Sequence, residues 1–178
     1  MTTELEHQRY RGYAMHRTRT AHFRMRGLCG VFIVLLAPFA SAAEKGGDKP
    51  EFLNSPRALE RGLPFSEAVR AGDFLFLSGQ IGDEPATGRL APGGIAAEAR
   101  QVLQNVKGSL ERNGASLADV VKCTVFLADI AEWADFNKVY REFFKPPFPT
   151  RSALGASGLA MGARVELECI AYMPAAKS

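Results

Sequence analysis

Arg151 stands in the segment Phe148-Pro149-Thr150-Arg151-Ser152, a proline-bounded entry to an apolar run. Fifteen residues later Glu166 lies in the alternating run Val165-Glu166-Leu167-Glu168-Cys169-Ile170-Ala171. A guanidinium presents a planar fork that suits a bidentate carboxylate contact. A carboxylate within hydrogen-bond reach of water can accept its proton. An arginine and a glutamate at matching ends of two strands could therefore hold an α-carboxylate and handle a water molecule. The pairing gains weight because the 3 histidines, His7, His16 and His22, all lie near the N-terminus. A Ser-His-Asp or Cys-His arrangement is excluded from the rest of the chain.

The N-terminal segment has its own pattern. Arg17, Arg19, Arg24 and Arg26 precede an apolar stretch from Leu28 to Ala40, and Ala40-Ser41-Ala42-Ala43 follows. A basic flank, a short apolar core and small residues at the cleavage positions read as a secretory signal peptide over 1–43. The apolar run is shorter than the ~20 residues a membrane span needs. Cys29 precedes the apolar core, which argues against a lipoprotein. The expectation is an exported, periplasmic or secreted protein without stable membrane insertion once processed.

Six of the 22 basic residues and two of the 19 acidic ones precede residue 44, leaving 16 against 17 and a net charge of −1. Nucleic-acid binding wants a clustered positive face, so composition gives no support for such a partner. Cys123 and Cys169 are the cysteines of the same portion. One disulfide is open to them in an exported protein. Two buried thiols acting as small hydrophobes is the commoner alternative. No CxxC or His/Cys cluster offers a zinc ligand set.

Residues 44–60 are rich in Gly, Pro and charge and read as a flexible leader. The span 61–178 is one domain by size. Ser66–Val69 and Asp73–Ser78 read as strands, and the glycines and prolines from Gly79 to Gly94 mark a long loop. Ala99, Val102, Leu103, Val106 and Leu110 recur at three- and four-residue steps, predicting a helix over 95–113. Val120–Leu127 is a β-branched strand. Asp129–Phe144 is a second helix stopped by Pro146-Pro147. Two strands follow, Ser152–Ala156 and Arg164–Tyr172. The fold class is α+β, a mixed sheet covered on one face by two helices. Phe74–Leu77 and Val120–Leu127 are apolar on both alternations, so the second sheet face needs a cover and an oligomer is expected.

Four ordered blocks carry a resemblance: Leu77-Ser78-Gly79-Gln80-Ile81-Gly82, Val120–Leu127, Pro149-Thr150-Arg151-Ser152 and Val165–Ala171. Together they resemble the Rid family, the reactive intermediate deaminases, over about 64–174. The resemblance implies a fold similar to chorismate mutase of the bacillus type and a homotrimer with ligand sites in the clefts between subunits. It also implies hydrolysis of 2-imino acids to 2-keto acids and ammonia, without metal or organic cofactor. Arg151 matches the family's carboxylate-binding arginine, and Glu166 the acidic residue that orients or activates water. Ser78, Gly79, Phe65 and Asn137 match substrate-binding positions. Phe65 stands where many members carry tyrosine, Ala153 where many carry cysteine, and Gly155 where glutamate is common. The alternative is a trimeric binder of small carboxylates without catalysis. A ribonuclease role, sometimes attached to the family, is disfavoured by the charge and the missing histidine.

Overall fold

The structure is a computed structural model, and it describes residues 49–174. The expected signal peptide over 1–43 and its cleavage site lie outside the described residues. Seven strands form one sheet: β1 Glu51–Leu53, β2 Ala68–Ala71, β3 Phe74–Leu77, β4 Gln80–Ile81, β5 Val120–Leu127, β6 Thr150–Gly155 and β7 Val165–Tyr172. Three helices accompany them: α1 Pro56–Glu60, α2 Ile95–Arg112 and α3 Trp133–Phe143. The sheet order is β1-β2-β3-β7-β5-β6, with β4 pairing to β7. The β5–β6 pair is parallel and every other pair antiparallel. The expected α+β architecture with a mixed sheet holds.

Alternation sorts the strand residues by face. Leu75, Leu77, Cys123, Val125, Leu127, Val165, Leu167, Cys169 and Ala171 are buried beneath the helices. From α2 they meet Ala99, Val102, Leu103, Val106 and Leu110, the stripe read from the sequence. Phe136, Val139 and Tyr140 of α3 complete this core. Glu98 is also buried, and its carboxylate accepts the Arg164 backbone N–H at 2.8 Å. That bond satisfies a buried charge and ties the start of α2 to the start of β7.

Among the described residues no helix covers the opposite sheet face. Phe74, Phe76, Leu154 and Tyr172 are exposed on it, and Glu168 lies among them. Phe74 and Tyr172 are register partners with ring centroids 5.3 Å apart.

Three details differ from the sequence expectation. The span read as a flexible leader holds β1, paired to β2, and α1, capped by the Ser55 hydroxyl accepting from the Ala58 N–H. β4 falls inside the expected long loop: past Leu77 the chain keeps its direction along β7 and pairs with it again at Gln80↔Leu167 and Ile81↔Glu166. Cys123 and Cys169 are register partners on β5 and β7 and are joined as a disulfide, the rarer of the two readings.

Candidate functional site

Arg151 is set by β6, the edge strand. Its register partner Cys123 faces the helices, so Arg151 faces them too, beneath α3. Its Nη2 donates to Asn137 Oδ1 at 2.6 Å. Its guanidinium carbon lies 4.6 Å from the Tyr140 ring centre and 5.7 Å from that of Phe136. Asn137 and Tyr140 are three apart on α3 and so share one face of the helix. Burial lowers the Arg151 pKa from its usual value, with Tyr140 opposing and Arg141 adding to the lowering. The Tyr140 hydroxyl is pushed up to about 12, mainly by burial and against the pull of Arg151. It is buried without a hydrogen-bond partner.

Glu166 is set by β7 and has opposite parity to the buried residues of that strand. Its register partners are Ile81 and Phe126. Ser78, Gly79, Phe65 and Glu166 line one cavity of about 760 Å³, which runs on between α1 and the outer side of α2. Ser78 Oγ donates to the Ser66 carbonyl at 2.7 Å, leaving its lone pairs free to accept. A Cβ at Gly79 would overlap Glu166 Oε1, so the glycine leaves room for the carboxylate in the position it occupies. Burial raises the Glu166 pKa and the charge of Glu168 raises it further. Both glutamates share a face, as their parity in the sequence implies.

The expected site residues therefore fall into two groups. Arg151 and Asn137 make one; Glu166, Ser78, Gly79 and Phe65 make the other. Arg151 pairs with Cys123 and Glu166 with Phe126, three residues apart on β5 and hence on opposite sheet faces. Two strand spacings and three residues of rise separate their Cα atoms by roughly 14 Å. One small substrate cannot bridge them within one chain. Tyr140 and Phe136, read from the sequence only as helix core, belong to the arginine group.

The pattern described as Endoribonuclease L-PSP matches residues 55–173. The chain belongs to that family. A RutC family protein of Pyrococcus horikoshii is 44% identical over 119 residues, 67% of this chain and 92% of its own length. The 2-iminobutanoate/2-iminopropanoate deaminase of Bos taurus is 44% identical over 108 residues, 61% of this chain and 79% of its own. Among solved structures, RidA from an Antarctic Psychrobacter matches with a TM-score of 0.60 and 39% identity. The match covers 62% of this chain and 89% of that one. The resemblance to reactive intermediate deaminases holds across the folded portion. Among the described residues no group of three or more His, Cys, Asp or Glu side chains is placed to hold a metal ion.

Proposed function

We propose that the protein hydrolyses reactive 2-imino and enamine acids to 2-keto acids and ammonia, in a cleft between neighbouring copies of a homotrimer. The observation that carries this reading is the division of the site. Arg151 sits at the sheet edge and Glu166 on the opposite face of the sheet, too far apart to serve one small substrate within a chain, so the reading requires a neighbouring copy whose arginine reaches this copy's glutamate. The exposed Phe74, Phe76, Leu154 and Tyr172 give that contact its apolar area.

The Arg151 fork receives the substrate carboxylate in two parallel hydrogen bonds. Glu166 accepts a proton from water as the water oxygen bonds to the C=N carbon, and the π electrons move to nitrogen. Delivery of that proton to the nitrogen gives the carbinolamine; Glu166 then takes the proton of its hydroxyl and passes it to the same nitrogen as the C–N bond breaks, so the carbonyl forms and ammonia leaves. Imines of this kind hydrolyse readily, so positioning supplies most of what is needed. The curated deaminases at comparable identity support this chemistry over the endoribonuclease of the family description.

The test generates 2-iminobutanoate with an amino-acid oxidase and traps the residue with semicarbazide. Wild-type protein reduces trapping, and Arg151→Ala and Glu166→Gln do not. Co-expressing the two variants restores about a quarter of the activity, because random assembly reunites both wild-type residues at one interface in four. No restoration, or a monomer by light scattering, rejects the shared cleft. The second reading, a carboxylate binder, draws on Phe65, which lacks a hydroxyl to guide water. Arg151-dependent binding of 2-oxobutanoate without hydrolysis would select it. We also propose export and removal of residues 1–43; periplasmic fractionation of tagged protein tests this.

A further inference from the structure

From the cavity behind Glu166 we infer that the preferred substrates carry a bulky, uncharged apolar side chain, rather than the one or two carbons of 2-iminopropanoate and 2-iminobutanoate. This rests on the deaminase reading above and assigns its side-chain subsite.

The cavity volume of about 760 Å³ lies within the range of sites that hold drug-sized ligands. A substrate of seven heavy atoms leaves most of it empty. The proposed cleft sets the direction of the side chain. The carboxylate points to an arginine from the neighbouring copy, and the reacting carbon lies by Glu166. The remaining substituent then points away from the arginine, into the space between α1 and α2.

Part of the cavity wall is an apolar patch, set beside charged side chains that pair with one another. Leu63, Phe65 and Met161 are 37%, 54% and 55% exposed, and all three line the cavity. Met161 holds a left-handed backbone with φ 59°, which a non-glycine residue rarely adopts. Such strain is found at ligand-contacting sites, where the surroundings hold it in place. The missing Phe65 hydroxyl, a deficit for guiding water, is a gain for an apolar wall.

Charge excludes the other large class, dicarboxylic imino acids. Three arginines line the cavity, but each is already paired. Arg57 and Arg61 meet Asp83 at 2.8 and 3.2 Å, and Arg112 meets Glu67. Burial alone would raise Glu67, yet hydrogen bonds from Ser55 and the Arg112 charge outweigh it and leave the carboxyl lowered. No cation in this wall is left for a second substrate carboxylate, and Glu166 repels one.

The experiment compares imines made by an amino-acid oxidase from alanine and 2-aminobutyrate with those from leucine, methionine and phenylalanine. It also measures calorimetric binding of 2-oxobutanoate, 4-methyl-2-oxopentanoate, phenylpyruvate and 2-oxoglutarate. Bulky apolar imines are expected to be favoured about tenfold or more in kcat/KM, given the 10–200-fold worth of each methylene in a fitted pocket. Met161→Gly, which relieves the left-handed strain, narrows that ratio. A ratio taken on one preparation is independent of the fraction folded. Equal or better turnover of the small imines, or tightest binding of 2-oxoglutarate, overturns the inference. If no imine is hydrolysed, the deaminase reading fails, and the order of keto-acid binding alone decides the side-chain preference.

Discussion

The Arg151 guanidinium carbon lies 4.6 Å from the centre of the Tyr140 ring, with Asn137 Oδ1 fixing one edge of the same fork at 2.6 Å. The ring supports the cation through its face, and the amide sets its plane. A flexible arginine loses rotamer freedom when it clamps a carboxylate, and a held one loses less.

That relationship makes the ring, and not its hydroxyl, the supporting element. Tyr140→Phe keeps the ring and removes a buried hydroxyl that has no partner. It is expected to leave KM within twofold of wild type. Tyr140→Leu removes a cation–π contact worth about 0.5–2 kcal/mol and is expected to raise KM roughly 2–30-fold. In the proposed mechanism Glu166, in the other group, sets kcat, so kcat should change less than KM. Equal falls in kcat for both variants would make Tyr140 merely structural. Steady-state rates on one imine, with 2-oxobutanoate binding as a second readout, check this.

Gly79→Ala tests the other half of the site. The new methyl would occupy the place of Glu166 Oε1, which sits at the end of a flexible side chain and can swing away. The fold should survive with a melting temperature near wild type. The rate should fall by about 10²-fold, the lower end of what a positioned acid–base group contributes. Retained activity would mean that Glu166 does not work from the position it occupies.

Much of the fold was legible because its largest elements carry strong periodicity. The α2 stripe from Ala99 to Leu110 and the β-branched β5 fix their type from local sequence alone. β1, α1 and β4 were not legible. Each spans two to five residues, and each is defined by what it pairs with or is capped by, not by its own composition. The chemistry proposed for Arg151 and Glu166 likewise came from residue type, but their spacing carried no information about faces. That depends on the register of both strands against β5, where an offset of three residues puts the side chains on opposite sides. Tyr140 was hidden for a related reason. An aromatic on the apolar side of a helix reads as core until the arginine beneath it is known.

The Cys123–Cys169 bridge closes a loop with a sequence separation of 46 between the neighbouring strands β5 and β7. In the chain-entropy account a loop of that size restrains the unfolded state by about 4 kcal/mol, and native bridges deliver about 2–4. Protein unfolded and refolded under reductant should therefore show a urea midpoint consistent with that loss. A melting temperature lower by about 10 °C would accompany it. An unchanged midpoint, with free thiols verified by alkylation, would mean the bridge adds nothing beyond packing of two small side chains.

The pH dependence should expose Glu166 directly. Burial, then the charge of Glu168, raises its pKa above the ordinary carboxylate value of 4.5. As a base it must be ionised, so the rate falls as pH drops through that raised value, earlier than for an unperturbed glutamate. Glu168→Gln removes the second cause and should move the midpoint down. Comparing the two proteins on one substrate cancels the substrate's own titration. Stability runs the opposite way. A carboxyl whose folded pKa is raised binds its proton more tightly in the native state, so its contribution is complete below the unfolded value and is lost as pH rises through the folded one. Glu166→Gln should thus be slower at every pH, yet lose less stability than wild type as pH rises from 4.5 toward neutrality. A wild-type profile unmoved by Glu168→Gln would mean that the two carboxylates, although on one face, do not share a field.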